Sequence, residues 1–258
     1  MNRSCFLRIM SLLAVSAVAP LSSAAETSGN KCYEMRVYYA PEGKLDALHT
    51  RFRDHTTKLF EKHGMTNVGY WVPLENTENK LVYLLSYPDK AARDASWKAF
   101  QADPDWVAAK SKSEENGKLV AKVENRFLTP TDFSTITYKA ASAPQTFELR
   151  TYTTGPGNLP HLFKRFRDHT VALFTKHRMR HFHYLTPLPG EPGADNTLVY
   201  LLAHDSPEAG KASFEAFRAD PDWIKAKSES EAAAGGSLTV ENGVKSELLK
   251  ATDYSPVK

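Results

Sequence analysis

Arg51-Phe-Arg-Asp-His-Thr56 is written twice in this chain, since Arg165-Phe-Arg-Asp-His-Thr170 repeats it letter for letter 114 positions later. Such self-similarity marks copies of one structural unit. The flanks agree. Tyr33-Glu-Met-Arg-Val-Tyr38 matches Phe147-Glu-Leu-Arg-Thr-Tyr152, and Leu81-Val-Tyr-Leu-Leu85 matches Leu198-Val-Tyr-Leu-Leu202. Ala102-Asp-Pro-Asp-Trp106 matches Ala219-Asp-Pro-Asp-Trp223 and Thr131-Asp-Phe-Ser134 matches Thr252-Asp-Tyr-Ser255, after three extra residues around Gly190 to Asn196. The boundaries that follow are a leader at 1–25, a first repeat at 32–134, a connection at 135–146 and a second repeat at 147–256.

Within a repeat the periodicity changes in order. Tyr33 to Tyr39 alternates and is rich in β-formers, which predicts a strand. From Leu45 to His63, Leu48, Phe52, His55 and Leu59 recur at helical spacing, and Gly64 closes the helix. Val68 to Val72 and Lys80 to Tyr87 read as strands. Asp89 to Ala102 reads as a helix, after which Asp103 caps and Pro104 opens a short helix through Ser113. Lys118 to Leu128 reads as the last strand. The order predicts an α+β fold of two tandem ferredoxin-like β-α-β-β-α-β repeats. Each sheet has helices on one face only, so the two bare faces are expected to meet as an α+β barrel, one chain imitating a dimer.

At the N-terminus, Arg3 and Arg8, the apolar run Ile9 to Leu21 and the small residues Ser22-Ser-Ala-Ala25 read as a secretory signal peptide. This predicts a periplasmic or secreted protein, with a mitochondrial presequence as the alternative. The apolar run is too short to span a membrane, so no transmembrane segment is expected in the mature chain. Of 33 basic residues the cut removes Arg3 and Arg8, leaving 31 against 30 acidic ones. Near-neutrality without a basic run argues against nucleic-acid binding. Cys5 leaves with the leader and Cys32 stays alone, which rules out an intramolecular disulfide.

Glu148-Leu-Arg-Thr-Tyr152 opening a strand, a helix carrying His, a Gly/Met turn into a Tyr-bearing strand, and Ala-Asp-Pro-Asp-Trp after the second helix together resemble the NIPSNAP proteins. That family belongs to the dimeric α+β-barrel group, and the resemblance covers 32–134 and 147–256. It implies the barrel fold. Eukaryotic relatives resemble mitochondrial and vesicle-associated adaptors, and fold cousins include cofactor-free oxygenases and haem-handling enzymes. Fold alone does not fix function.

Two residue sets stand out as candidate sites. His55 and His169 fall on the apolar helix stripe; a structural role between helix and sheet is expected, with general-base catalysis as the alternative. On the first strand of each repeat, Glu34, Arg36 and Tyr38, and Glu148, Arg150 and Tyr152, alternate with apolar neighbours. With the apolar set toward the helices, these polar triads are expected inside the barrel, each arginine against a glutamate, as a structural network or as a ligand pocket. Trp106 and Trp223 are expected to pack their short helices against the sheet edge. His181 and His183 share a strand face at metal-holding spacing, yet Asn67 and Gly69 replace them in the first repeat and no third ligand is apparent. Neither a metal nor a cofactor is expected. No phosphate loop or nucleophile elbow occurs. The expected function is an exported, non-catalytic protein that binds a partner or a small ligand. The alternative is a cofactor-independent oxygenase or isomerase acting on an apolar or aromatic molecule in the barrel. The expected partners are such a ligand or another protein, with a homodimer as a further option.

Overall fold

The computed structural model describes residues 31–134, 138, 143 and 145–258. The expected leader lies outside them, as does most of the expected connection at 135–146. The first repeat runs β1 (Cys32–Tyr39), α1 (Leu45–Arg51), a π turn (Phe52–Thr56), α2 (Thr57–Lys62), β2 (Thr66–Pro73), β3 (Lys80–Tyr87), α3 (Lys90–Ala102), α4 (Pro104–Ser113) and β4 (Lys122–Pro130). The second runs β5 (Thr146–Thr154), α5 (Leu159–Arg165), a second π turn (Phe166–Thr170), α6 (Val171–Lys176), β6 (Arg180–Pro187), β7 (Thr197–His204), α7 (Pro207–Ala219), α8 (Pro221–Ala233) and β8 (Thr239–Ala251). Asp103 caps α4 by accepting from the Asp105 amide at 2.8 Å, with Pro104 in the first turn. The last strand of the first repeat starts later than expected, because the chain turns at Gly117 (φ 105°) and Leu119 is buried in the core under the helices.

All eight strands close one antiparallel barrel in the order β1-β3-β2-β8-β5-β7-β6-β4. Each repeat supplies four neighbouring strands, and two seams, β2 to β8 and β4 to β6, join the halves. Closure leaves no open edge among the described strands.

The barrel interior is apolar. Tyr33 and Met35 of β1 meet Trp71, Val82, Leu84 and Leu128 from their own repeat and Phe147, Phe182, Val199 and Leu201 from the other. Trp71 lies with ring centres 5.5 Å from Phe147 and 5.8 Å from Phe182. The expected face assignment is therefore inverted: Glu34, Arg36 and Tyr38, with Glu148, Arg150 and Tyr152, point out of the barrel into the layer beneath the helices. Alternation could not decide this, because both faces of the sheet are covered. Charge solvation does decide it. The layer beneath the helices supplies donors for each glutamate, whereas the barrel interior is lined mostly by apolar and aromatic side chains, where an ion costs several kcal/mol.

The repeated hexapeptide builds the π turn. The Thr57 amide bonds to the Phe52 carbonyl and the Val171 amide to the Phe166 carbonyl, five residues back in each case. The Thr56 and Thr170 hydroxyls bond the carbonyls of Arg51 and Arg165 at 3.1 and 3.2 Å. A wider turn shifts the stripe. Arg51, Phe52 and Thr56 are buried while Arg53, Asp54 and His55 face solvent, and the second copy does the same with His169 exposed. Neither histidine lies between helix and sheet, contrary to the expectation drawn from a regular 3.6-residue period.

The tails of the repeats are exchanged. Thr252-Asp-Tyr-Ser255 ends the second repeat but seats on the first: Thr252 N–H donates to the Tyr70 carbonyl at 2.9 Å and the Ser255 hydroxyl accepts from the Tyr70 amide at 3.0 Å. Tyr254 stacks on Phe52, and Arg53 forms a two-point bridge to Asp253. Reciprocally, Thr131 and Ser134 bond the Tyr184 backbone, Phe133 packs on Phe166 and Arg167 pairs with Asp132.

Candidate functional site

In the first repeat, Arg36 and Tyr38 of β1 form the floor, and α1, the π turn, α2, α3, α4 and the stretch from Glu114 to Val123 form the walls of a cleft of about 780 Å³. Two guanidinium groups reach it, with Lys110 and Lys118 also on its lining. Arg36 rises from β1, its Nη1 donating to Glu34 Oε1 at 2.7 Å and its Nη2 3.4 Å from the Tyr38 hydroxyl, with the guanidinium 4.4 Å from the Trp97 ring centre. Arg51 enters from the end of α1, where the π turn rotates it inward. It donates to Glu114 Oε1 at 2.9 Å and lies over Trp106 at 5.3 Å. The Nε atoms of both arginines are buried and bond to nothing among the described residues. A buried unpaired donor costs roughly 1–3 kcal/mol. Phe52, Phe60 and Phe100 supply apolar wall. The Tyr83 hydroxyl, opposite Arg36 across the ladder, is also buried without a bond among the described residues.

Glu34 anchors the floor. It accepts from Arg36, from Arg93 Nε and Nη2 at 2.9 and 2.5 Å, from the Tyr87 hydroxyl at 3.0 Å and from Trp97 Nε1 at 2.7 Å. Burial alone would raise its carboxyl, but the Arg93 bonds and the Arg36 charge outweigh burial and hold it below the usual range. Arg36 and Arg150 each contact a glutamate, but outside the barrel and not inside it.

The second repeat departs from the first. Glu148 accepts from Arg150 and Ser246, each at 2.5 Å, and from His204 at 2.9 Å. Arg165 stacks on Trp223 at 5.1 Å but stands 4.0 Å from Glu231. In place of that cleft, the corresponding space is divided between recesses of about 610 and 240 Å³. Arg218, in the place of Gln101, borders both.

Of the residues singled out from sequence, Arg36 and Tyr38 line the cleft, and Glu34 lies behind it. Glu148 and Arg150 border the smaller recess of the second repeat. Tyr152 packs on Phe166 and Tyr200. Trp106 meets Phe100 at 4.4 Å and Arg51, and Trp223 meets Phe217 at 4.3 Å, rather than the sheet edge. Arg51, Trp97 and His204 are not among the candidates read from sequence. Arg51 had a signal: it is the first letter of the repeated hexapeptide, three positions after Leu48. His181 and His183 do not share a face. A bulge at Phe182 sets them opposite Leu202 and Leu201, so His181 bonds Thr175 and Tyr184 while His183 enters the barrel beside Tyr33. Cys32 is buried, and burial and Glu34 push its thiol up to about 11, so it is unreactive at neutral pH.

The NIPSNAP family model matches residues 33–135 and again 147–256. The chain belongs to the NIPSNAP family. A solved NIPSNAP domain protein from Burkholderia xenovorans is 25% identical, with 40% of this chain and 96% of that one aligned and a TM-score of 0.35. Across the whole barrel the chain resembles a proposed monooxygenase from Fusobacterium nucleatum (10% identical, TM-score 0.56, 86% of this chain and 93% of that one). An anthrone oxidase-like protein aligns similarly (11%, TM-score 0.51, 86% and 92%). These two likenesses are of fold alone. No curated protein matches the sequence. Among the described residues of this NIPSNAP protein, no helix is long and apolar enough to cross a membrane.

Proposed function

We infer that this NIPSNAP protein binds a small aromatic molecule bearing an acidic group, seated in the cleft of its first ferredoxin-like repeat. The observation that carries the reading is the pair Arg36 and Arg51: two guanidinium groups on one aromatic-walled cleft, each with a buried Nε lacking a bond among the described residues. Carboxylate oxygens satisfy such donors with charge-assisted bonds, and Trp97, Trp106 and Phe52 offer faces to a ring. Binding is favoured because the cleft gathers cations and aromatics and, among the described residues, pairs no nucleophile with a base. The leader-like first 25 residues support a setting for this activity in the periplasm or outside the cell. A mature N-terminus near Glu26, found by mass spectrometry of protein from its host, supports that placement, and an intact Met1 contradicts it. Thermal-shift screening with aromatic carboxylates against their neutral amides tests the ligand class. Stabilisation by the acids alone supports the reading, and equal response to both opposes it.

A second reading, a cofactor-independent oxygenase, is favoured by one observation: the Tyr83 hydroxyl is buried beside Arg36 with no bond among the described residues, so that it can donate to an anionic intermediate. Dioxygen uptake on adding an anthrone supports it; unaltered ligand and no uptake favour the binding protein.

A further inference from the structure

Duplication lets one half of the chain report what the other half is built to hold. In the first repeat the space above Glu34 is occupied by the guanidinium of Arg93, which bonds both carboxylate oxygens. The equivalent of Arg93, 117 positions on, is Gly210, and the equivalents of Tyr87 and Trp97 are His204 and Phe214. Above Glu148 there is accordingly a recess of about 240 Å³, bordered by Arg150, Gly210, Phe214 and Ser246.

The chemistry of that recess calls for donors. Glu34 accepts five hydrogen bonds, whereas Glu148 accepts three. A carboxylate has about four lone-pair directions, and Glu148 Oε2 uses one, on His204 Nε2. His204 Nδ1 is buried, bonds to nothing among the described residues and lies 3.3 Å from where a Cβ on Gly210 would stand. The His204 hydrogen bond, the Arg150 charge and the Ser246 hydroxyl together outweigh burial, the largest single influence, and keep the Glu148 carboxyl at about 2, so it is ionised at neutral pH. Lys211 and Arg218 stand exposed at the rim and ask for the opposite charge.

We propose that the recess above Glu148 is a second ligand site, for a small molecule with a guanidinium head and a carboxylate tail. The head takes the place that Arg93 fills in the first repeat, donating to Glu148, and the tail meets Lys211 and Arg218. The ligand differs in charge pattern from the aromatic acid of the first-repeat cleft.

Calorimetric titration of the full chain with L-arginine, agmatine and citrulline is the test. Arginine binds; agmatine, lacking the tail, binds at least about threefold more weakly, and citrulline, lacking the cationic head, at least about tenfold more weakly. The triple change His204→Tyr, Gly210→Arg, Phe214→Trp writes the first repeat's network into the second and should abolish arginine binding. Should that variant fail to fold, histidine-selective NMR of the unaltered protein decides: arginine must move the His204 resonances. Citrulline binding as well as arginine, a folded triple variant that still binds, or an unmoved His204 each overturns the proposal.

Discussion

The Ser255 hydroxyl accepts a hydrogen bond from the amide of Tyr70 at 3.0 Å, across 185 residues of chain. Ser134 does the same for Tyr184, at 3.1 Å. The halves are thus laced together by reciprocal tails as well as by the two strand seams, and a motif at the end of one repeat stabilises the other.

Replacing Ser255 removes the acceptor of a buried amide. Ser255→Ala should cost about 1–3 kcal/mol, the usual penalty for orphaning such a group, and Ser134→Ala should cost the same. Urea titration reads both. A loss below a few tenths of a kcal/mol would mean the tails rest on the barrel without holding it.

Gly69 has no room for a side chain, because a Cβ there would stand 2.2 Å from the Trp71 ring. The second repeat makes the opposite choice, with His183 and Leu185 at the matching positions. Gly69→Ala should destabilise by about 1–3 kcal/mol through overpacking, and much of that loss should vanish in the Trp71→Leu background although Trp71→Leu is itself costly. A double-mutant cycle with no coupling contradicts this account.

Acid sensitivity should trace to His183. Burial, and to a lesser degree the charge of Lys31, lowers its pKa to about 3. The unfolded chain takes up that proton near pH 6.5 and the folded chain does not, so stability is intact above about pH 6.5 and falls as pH drops toward 3, by about 2 kcal/mol at pH 5. His183→Leu should flatten the stability profile between pH 6.5 and 5. Glu148 acts in a lower window: its folded pKa is depressed, so its contribution is present above about pH 4.3 and fades as pH falls toward 2. A variant with the same slope as the parent down to pH 5 excludes His183 as the source.

Arg178 holds a left-handed backbone (φ 62°) at the helix end where the first repeat has Gly64 (φ 76°). Its side chain is exposed. Arg178→Gly should therefore raise stability by up to about 1 kcal/mol, the relief of left-handed strain offsetting the added freedom of the unfolded chain. A lower melting temperature opposes this.

Much of the architecture was legible, because repetition and periodicity survive folding: the strand, helix and cap positions around Tyr33, Lys80 and Asp103 follow from the chain. What misled were two departures from a regular period. The π turn rotates His55 out and Arg51 in, and the bulge at Phe182 parts His181 from His183; neither has a composition signature beyond the repetition of the hexapeptide itself. The inverted sheet face had a different cause. An apolar and a polar set alternate on β1, but both sides of that strand are buried, so only the donors arriving from α3 (Arg93 and Trp97) reveal which side Glu34 takes. The site asymmetry was written in the sequence as Gly210 against Arg93, and became legible only once the carboxylate beneath each was located.

The central claim is that Arg36 and Arg51 together hold an acidic aromatic ligand in the first repeat. Titration of one aromatic carboxylate, identified by thermal shift, into the parent, Arg51→Met and Arg165→Met proteins tests it most directly. Arg51→Met should weaken binding at least about tenfold while remaining folded, the loss of one charge-assisted contact, and Arg165→Met, its counterpart in the other repeat, should bind as the parent does. Equal affinity in all three proteins would contradict the claim.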